Sequence, residues 1–193
     1  MEYSDPMDSV RSCERALTGA IQTPISVVRP KVNYLDKDLI VGVGEYKVVS
    51  APLELMCIGL GSCVGIAIWD SRIELGGLAH AMLPAYDEGK DKVNASKYAD
   101  SATFLMVDEM VDMGASRINL KAKMAGGAQM FSFSSNDTLN IGQRNAESAK
   151  AALKKERIPL LAEEVGGNKG RTIFFTPKDG VVRIQKGSEI TYL

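Results

Sequence analysis

The sequence predicts an α+β fold in which mostly antiparallel sheets are covered on one face by two helices. Strand-like segments come first along the chain, and two segments with helical periodicity are then separated by a further strand. More strands close the sequence. This order of strands, helix, strand, helix and strands is not the regular alternation that builds a parallel sheet, and it favours antiparallel pairing.

The first strands are predicted from β-branched and apolar residues bounded by glycine and polar turns. Pro84 ends the last of them, and a long polar loop over 85–94 follows. The predicted strands cover 40–49, 53–58, 64–69 and 75–83.

The pattern changes to a helical period over 96–113. Phe104, Val107 and Val111 lie on one face of this predicted helix, and Gly114 suits the position just after its end. A second helix is predicted over 142–156, where small and apolar residues gather on one side. The remaining predicted strands cover 118–124, 160–165, 172–176 and 181–185.

Composition limits the class of protein. Of the 193 residues, 45% are hydrophobic and 24% are charged, which is typical of a globular domain. The net charge of −1 gives no basic face for nucleic acid, and the uncharged stretch over 55–69 is shorter than the ~20 residues of a membrane span. We expect a cytoplasmic protein with no direct membrane insertion, an N-terminal extension over 1–38 and a single domain over 39–193.

Cys63 and His80 are the most informative pair of residues. Cys63 closes the run Gly59-Leu60-Gly61-Ser62-Cys63, and His80 is the single histidine of the chain. A thiol on a glycine-rich turn is accessible, free N–H groups beside it suit an oxyanion, and an imidazole can take the thiol proton. This pattern predicts thiol-based acyl transfer, although buried cysteines are often inert and a lone histidine is often a core residue.

Other readings of the same residues are weaker. A dinucleotide-binding loop would need glycine where Val64 stands, and Ser62 does not lie in a G-x-S-x-G elbow. The three cysteines form no C-x-x-C pair and match no usual zinc spacing, which indicates a reducing compartment and no metal site. Control through a disulfide between Cys57 and Cys63 stays open, because the sequence does not fix their separation.

Several blocks of sequence resemble the chemoreceptor glutamine deamidase family, CheD. They run from about residue 39 to the C-terminus, and they include G-L-G-S-C-V-G-I-A-I-W-D, G-G-L-A-H-A-M-L-P, K-Y-A-D, A-G-G-A with M-F, N-I-G with R-N, L-A-E with G-G-N, and G-V-G-E-Y. The resemblance implies a layered α/β/β sandwich. It also implies hydrolysis of glutamine side chains to glutamate on the cytoplasmic helices of chemoreceptors, without a cofactor.

The resemblance also implies roles for particular residues. Cys63 corresponds to the nucleophile and His80 to the general base, and the backbone N–H groups from Gly61 through Ser62 to Cys63 are candidates to hold the oxyanion. Cys57 stands where the family carries a threonine that helps to hold the imidazole. A thiol forms weaker hydrogen bonds than a hydroxyl, so we expect this departure to affect the rate more than the chemistry.

A binding module is the alternative function. The family also associates with a CheC-type phosphatase of CheY-P, and Phe131 matches a position implicated in that contact. An aromatic residue after two glycines is by default core packing. The intact pair of Cys63 and His80 favours the enzyme, and Cys57 slightly favours the binding module.

Overall fold

The computed structural model describes residues 37–89, 92–129 and 140–193, in which two α-helices and nine strands form. The predicted extension over 1–38 therefore lies almost wholly outside the described residues. The helices are α1 (Ala99–Asp112) and α2 (Ile141–Lys155). The strands are β1 (Tyr46–Ser50), β2 (Leu55–Leu60), β3 (Val64–Asp70), β4 (Leu75–Ala81), β5 (Lys121–Gly126), β6 (Leu160–Val165), β7 (Arg171–Thr176), β8 (Val181–Lys186) and β9 (Glu189–Tyr192).

The strands form two sheets. The larger has five strands in the order β1-β4-β3-β5-β6, and the smaller has four in the order β2-β7-β8-β9. Neighbouring strands pair antiparallel except β5 and β6, which run parallel and are joined through α2. The prediction of mostly antiparallel sheets is confirmed.

Both helices pack on one face of the five-stranded sheet, as predicted. The buried side of α1 repeats at helical spacing, and so does the buried side of α2. These faces meet alternate residues of β3 and β4 in one apolar cluster that includes Met106, Met110, Ala149, Leu153, Val64, Ile66, Ile68, Ala79 and Ala81.

The opposite face of the five-stranded sheet packs against the smaller sheet. A second apolar cluster, which we call the inter-sheet cluster, fills this space and includes Leu55, Cys57, Leu60, Ala67, Trp69, Leu78, Ile173, Phe175 and Ile184. The result is three layers: helices, a five-stranded sheet and a four-stranded sheet. This is the layered α/β/β sandwich that the resemblance implies.

Two differences from the sequence prediction exceed small shifts of the ends of elements. The strand predicted over 40–49 forms only from Tyr46, because Gly44 takes a positive φ of 76° and the backbone turns there. Strand β9, which was not predicted, pairs with β8 after a turn in which Gly187 also has a positive φ of 60°. Gly114, at a φ of 101°, follows α1 as predicted.

Within the described residues, none of the helices has both the length and the apolar character needed to span a membrane.

Candidate functional site

The connection between β2 and β3 passes from one sheet to the other. The two strands are consecutive in the chain, yet β2 is an edge of the smaller sheet and β3 lies inside the larger one. Only residues 61–63 make the crossing, since Gly59 and Leu60 still belong to β2. Cys63 therefore lies at the corner where the two sheets meet, and its side chain packs against the inter-sheet cluster.

His80 faces the same space between the sheets. It pairs with Gly65 in the antiparallel ladder of β3 and β4, and paired residues point to the same face. A β-carbon on Gly65 would lie 2.3 Å from the Ile173 side chain of the smaller sheet, which identifies that face as the inter-sheet side. The imidazole is thus directed between the sheets, and only 1% of His80 is exposed.

The register places Cys63 and His80 in diagonal positions on the two strands. Val64 pairs with Ala81, so Cys63, one residue before the ladder begins, stands diagonal to His80. Diagonal neighbours of an antiparallel pair lie about 7–8 Å apart, within reach of longer side chains. Both side chains face the space between the sheets, and Cys63 is half-buried, so the thiol remains accessible at the corner.

The two nitrogens of His80 have different surroundings. Nδ1 lies 3.2 Å from the carbonyl oxygen of Val41, and because a carbonyl only accepts, this contact assigns the proton to Nδ1. Nε2 is buried and has no hydrogen-bond partner among the described residues. The ring therefore presents an unshared electron pair at Nε2.

The segment 41–45 wraps around the backbone of His80. Gly44 N donates to the His80 carbonyl at 2.8 Å, and His80 N donates to the Glu45 carbonyl at 2.9 Å. The Glu45 carboxylate accepts a hydrogen bond from Gly42 N at 3.0 Å, which closes the turn. This segment lies within the strand predicted over 40–49, and its contact with His80 was not expected, although the block G-V-G-E-Y belongs to the resemblance.

The carbonyl groups of residues 61–63 all accept hydrogen bonds. Because a peptide unit is planar and trans, the N–H groups of Ser62 and Cys63, which follow the bound carbonyls of Gly61 and Ser62, point away from the donors of those carbonyls. Among the described residues, the N–H groups of 61–63 have no hydrogen-bond acceptor on another residue, which leaves them available to a developing oxyanion. The bonds run from Ala128 N to Gly61 O at 2.8 Å, from Asn145 Nδ2 to Ser62 O at 2.9 Å, and from Gly127 N to Cys63 O at 2.8 Å.

Burial keeps both central groups uncharged at neutral pH. It raises the pKa of the Cys63 thiol, an effect that the residue's own backbone N–H partly opposes. It lowers the pKa of His80, and the Val41 carbonyl and the Glu45 carboxylate partly oppose that shift. The resting pair is therefore a thiol beside a neutral imidazole.

The other predicted residues have distinct positions. Cys57 is fully buried in β2, and burial, followed by the nearby Cys63, raises the pKa of its thiol well above the ordinary value. Neither nitrogen of His80 bonds Cys57, since Nδ1 contacts the Val41 carbonyl and Nε2 has no partner among the described residues. Ser62 is exposed, Gly61 is half-buried, and Phe131 lies outside the described residues.

Asn145 was not predicted as a site residue. It lies on the buried face of α2 and is 0% exposed, and its side-chain amide contacts the turn that carries Cys63. The sequence held two signals: a polar amide interrupts the stripe of small residues on that helix face, and Asn145 belongs to the R-N block of the resemblance.

The fold and the site together define a class of protein: a three-layered α/β/β sandwich with a cysteine and a histidine where its two sheets meet. Comparison with known proteins narrows this class. The family described as CheD chemotactic sensory transduction matches residues 82–186. That match begins two residues after His80, so it includes neither Cys63 nor His80.

Those relatives cover most of the chain. A protein from Clostridium acetobutylicum, named probable chemoreceptor glutamine deamidase CheD, is 45% identical over 150 residues, 77% of this chain and 90% of its own length. The chemoreceptor glutamine deamidase CheD of Halalkalibacterium halodurans is 50% identical over 140 residues, 72% of this chain and 86% of its own. The chain belongs to the CheD family.

A third relative extends the similarity toward the N-terminus. The probable chemoreceptor glutamine deamidase CheD 1 of Methanosarcina mazei is 42% identical over 191 residues, which take up 96% of this chain and 83% of that protein. The alignment includes most of residues 1–38, where the family motifs gave no match.

Proposed function

We propose that this protein hydrolyses the side-chain amide of selected glutamines on the cytoplasmic helices of chemoreceptors, with Cys63 as nucleophile and His80 as general base. Membership of the CheD family and the names of the relatives support the substrate class. The observation that carries the proposal is the unpartnered Nε2 of His80, buried on the face toward which Cys63 points.

The first half of the reaction forms a thioester. Nε2 accepts the proton of the Cys63 thiol as the sulfur attacks the glutamine Cδ, and the carbonyl oxygen becomes an oxyanion. The imidazolium then gives this proton to the departing amine, the C–N bond breaks, and ammonia leaves. A base that is neutral at pH 7 suits this step, and the lowered pKa of His80 keeps it neutral.

The second half returns the enzyme to its starting state. Water attacks the thioester carbonyl while Nε2 takes one of its protons, and the thiol leaves with that proton restored to sulfur. The product is glutamate. In both halves the oxyanion is held by backbone N–H groups of 61–63, and one such donor typically contributes about 10²–10³ in rate.

The Val41 carbonyl supports this chemistry by orientation. Its contact with Nδ1 keeps the proton on that nitrogen and leaves the electron pair on Nε2. When the imidazolium forms, the same carbonyl stabilises the positive ring. Cys57 is not required in this scheme.

Deamidation of a receptor fragment tests the proposal. The purified protein is incubated with the cytoplasmic fragment of a chemoreceptor, and peptides are analysed for the gain of about 1 Da that accompanies conversion of glutamine to glutamate. We expect Cys63→Ala to abolish conversion and to leave the fold unchanged, because the half-buried thiol contributes little to packing. Conversion by Cys63→Ala above a control without enzyme would contradict the role of this thiol.

Association with a CheC-type phosphatase remains a prediction from the resemblance. It depends on Phe131, which lies outside the described residues. We propose the cytoplasm as the location, since the receptor helices that carry the substrate glutamines lie there.

A further inference from the structure

We propose that Asn145 is a positioning residue that holds the turn carrying Cys63 against the end of β4 and thereby aims the Cys63 N–H at the sulfur and the oxyanion. This inference deepens the proposed function and depends on it only for the effect on turnover. The residue lies outside the pair of groups that exchange protons.

The Asn145 amide joins two chain segments where their ladder ends. Nδ2 donates to Ser62 O at 2.9 Å and to Met82 O at 3.0 Å. Ser62 directly precedes Cys63, and Met82 lies two residues after His80. Met82 N is already bonded to Lys97 O at 2.9 Å, so the two segments separate there and the amide bridges the gap.

The orientation of this amide is fixed by its partners. Both contacts are carbonyl oxygens, which accept only, so the NH₂ group must face them and a flipped amide would place three oxygens together. Oδ1 is then buried without a hydrogen-bond partner among the described residues. A buried unpaired oxygen destabilises the fold, and an apolar residue at this position of the helix would avoid that cost.

Helix α2 lies close enough for this contact because glycines face each other at its first turn. A β-carbon on Gly142 would lie 2.4 Å from Gly127 O, and one on Gly127 would lie 2.8 Å from Gly142 O. The backbones therefore touch beside the nucleophile turn. Asn145, three residues along α2 from Gly142, reaches the turn from this position.

The bond to Ser62 O determines where the next N–H points. The Ser62–Cys63 peptide unit is planar and trans, so with its oxygen turned toward α2 its N–H is turned away from the helix layer. The Cys63 side chain lies on that same side, against the inter-sheet cluster. The Cys63 N–H interacts there with its own sulfur, and a hydrogen bond to the charged form favours the thiolate.

The test uses thiol reactivity as well as turnover. Alkylation of Cys63 by iodoacetamide is followed from pH 6 to 10, at about one-unit steps, by mass spectrometry of the Cys63 peptide, which needs no receptor. In Asn145→Ala we expect the alkylation midpoint to rise by about one pH unit, which is about a tenfold slower reaction at pH 7. We also expect kcat for deamidation to fall about 10-fold to 100-fold, with KM within about threefold.

Ser148→Ala is the matched control. Ser148 lies one turn further along α2, and its hydroxyl donates to the Pro84 carbonyl at 2.6 Å. It therefore also ties the helix to a backbone carbonyl after β4, but it does not contact the nucleophile turn. We expect wild-type alkylation and turnover from this variant.

An unchanged alkylation profile in Asn145→Ala would overturn the inference, even if the melting temperature falls. Should Asn145→Ala not fold, Asn145→Asp keeps the shape and, when protonated, one donor, and the same upward shift is expected there. A wild-type protein that fails to deamidate the receptor would remove the proposed function, and the alkylation comparison would still decide the role of Asn145.

Discussion

The imidazole of His80 is anchored to Val41, a residue 39 positions earlier in the chain, whose carbonyl oxygen lies 3.2 Å from Nδ1. The contact comes from the backbone and not from a side chain. It fixes which nitrogen carries the proton, so Nε2 is the nitrogen that is left to act as a base.

Replacing His80 by asparagine should therefore remove base catalysis and preserve the fold. Asparagine retains a donor for the Val41 carbonyl but has no group that takes up a proton at neutral pH. We expect deamidation to fall by about 10²–10⁴, the usual contribution of a positioned acid or base. The rate at which Cys63 reacts with iodoacetamide at neutral pH is a second measurement. If Cys63 reacts as fast in His80→Asn as in the wild-type protein, His80 does not activate the thiol.

The same histidine should make folding stability depend on pH. Burial lowers the pKa of His80 in the folded state below its ordinary value of about 6.5, so the unfolded chain binds the proton more readily. The free energy of unfolding should be unaffected by this group above about pH 6.5 and should fall as the pH drops below it, by at most about 1.4 kcal/mol per unit.

Urea unfolding between about pH 5 and 7.5 measures this dependence. Carboxyl groups titrate in the lower part of the range, so the informative quantity is the difference between wild type and His80→Asn. Because His80 is the single histidine of the chain, no other imidazole contributes to that difference. Parallel curves for the two proteins would contradict the prediction.

Replacing Cys57 by threonine should leave deamidation unchanged or raise it. Threonine is β-branched, close in volume and suited to β2, and it restores the hydroxyl that the family carries at this position. Since Cys57 is 0% exposed among apolar side chains, a hydroxyl without a partner there costs about 1–3 kcal/mol. The variant is assayed for receptor deamidation and for its melting temperature. Slower deamidation by a folded variant would mean that Cys57 is itself adapted to the site.

Gly126→Ala should disrupt the nucleophile turn. A β-carbon at this position would lie 2.3 Å from Cys63 O and 3.0 Å from Val64 Cα, both backbone atoms, and the residue has a positive φ of 124°. We expect at least about tenfold lower deamidation and a loss of about 2–3 kcal/mol in stability.

Gly114→Ala is its control. Gly114 also has a positive φ, of 101°, but a β-carbon there meets nothing within 4 Å. This variant should lose stability through backbone strain alone and should keep wild-type turnover. Equal activity losses in the two variants would show that contact with Cys63 is not the cause.

The sequence predicted most of the fold because its elements depend on local periodicity. Helix α2 was predicted within one residue at each end, since small and apolar side chains mark its buried face. The separation of β2 and β3 into different sheets was not predicted. Both strands are apolar, and the side chains of a strand do not reveal which neighbour it pairs with.

The site was predicted only where side chains carry the chemistry. Cys63 and His80 follow from a thiol on a glycine-rich turn and a single histidine. The role of Val41 comes from its backbone carbonyl, a group that every residue possesses, so the residue type at this position does not predict that role. The segment 41–45 was predicted as a strand because its apolar residues have strand character, and the positive φ of Gly44 overrides that pattern.

The hydrogen bond between Asn145 and Ser62 spans 83 residues of sequence. During synthesis, a ribosome adding about 5–20 residues per second needs several seconds to pass from one to the other. Throughout that interval the growing chain carries Cys63 without the helix that fixes its turn. The complete arrangement around the thiol can therefore form only when most of the protein has been made.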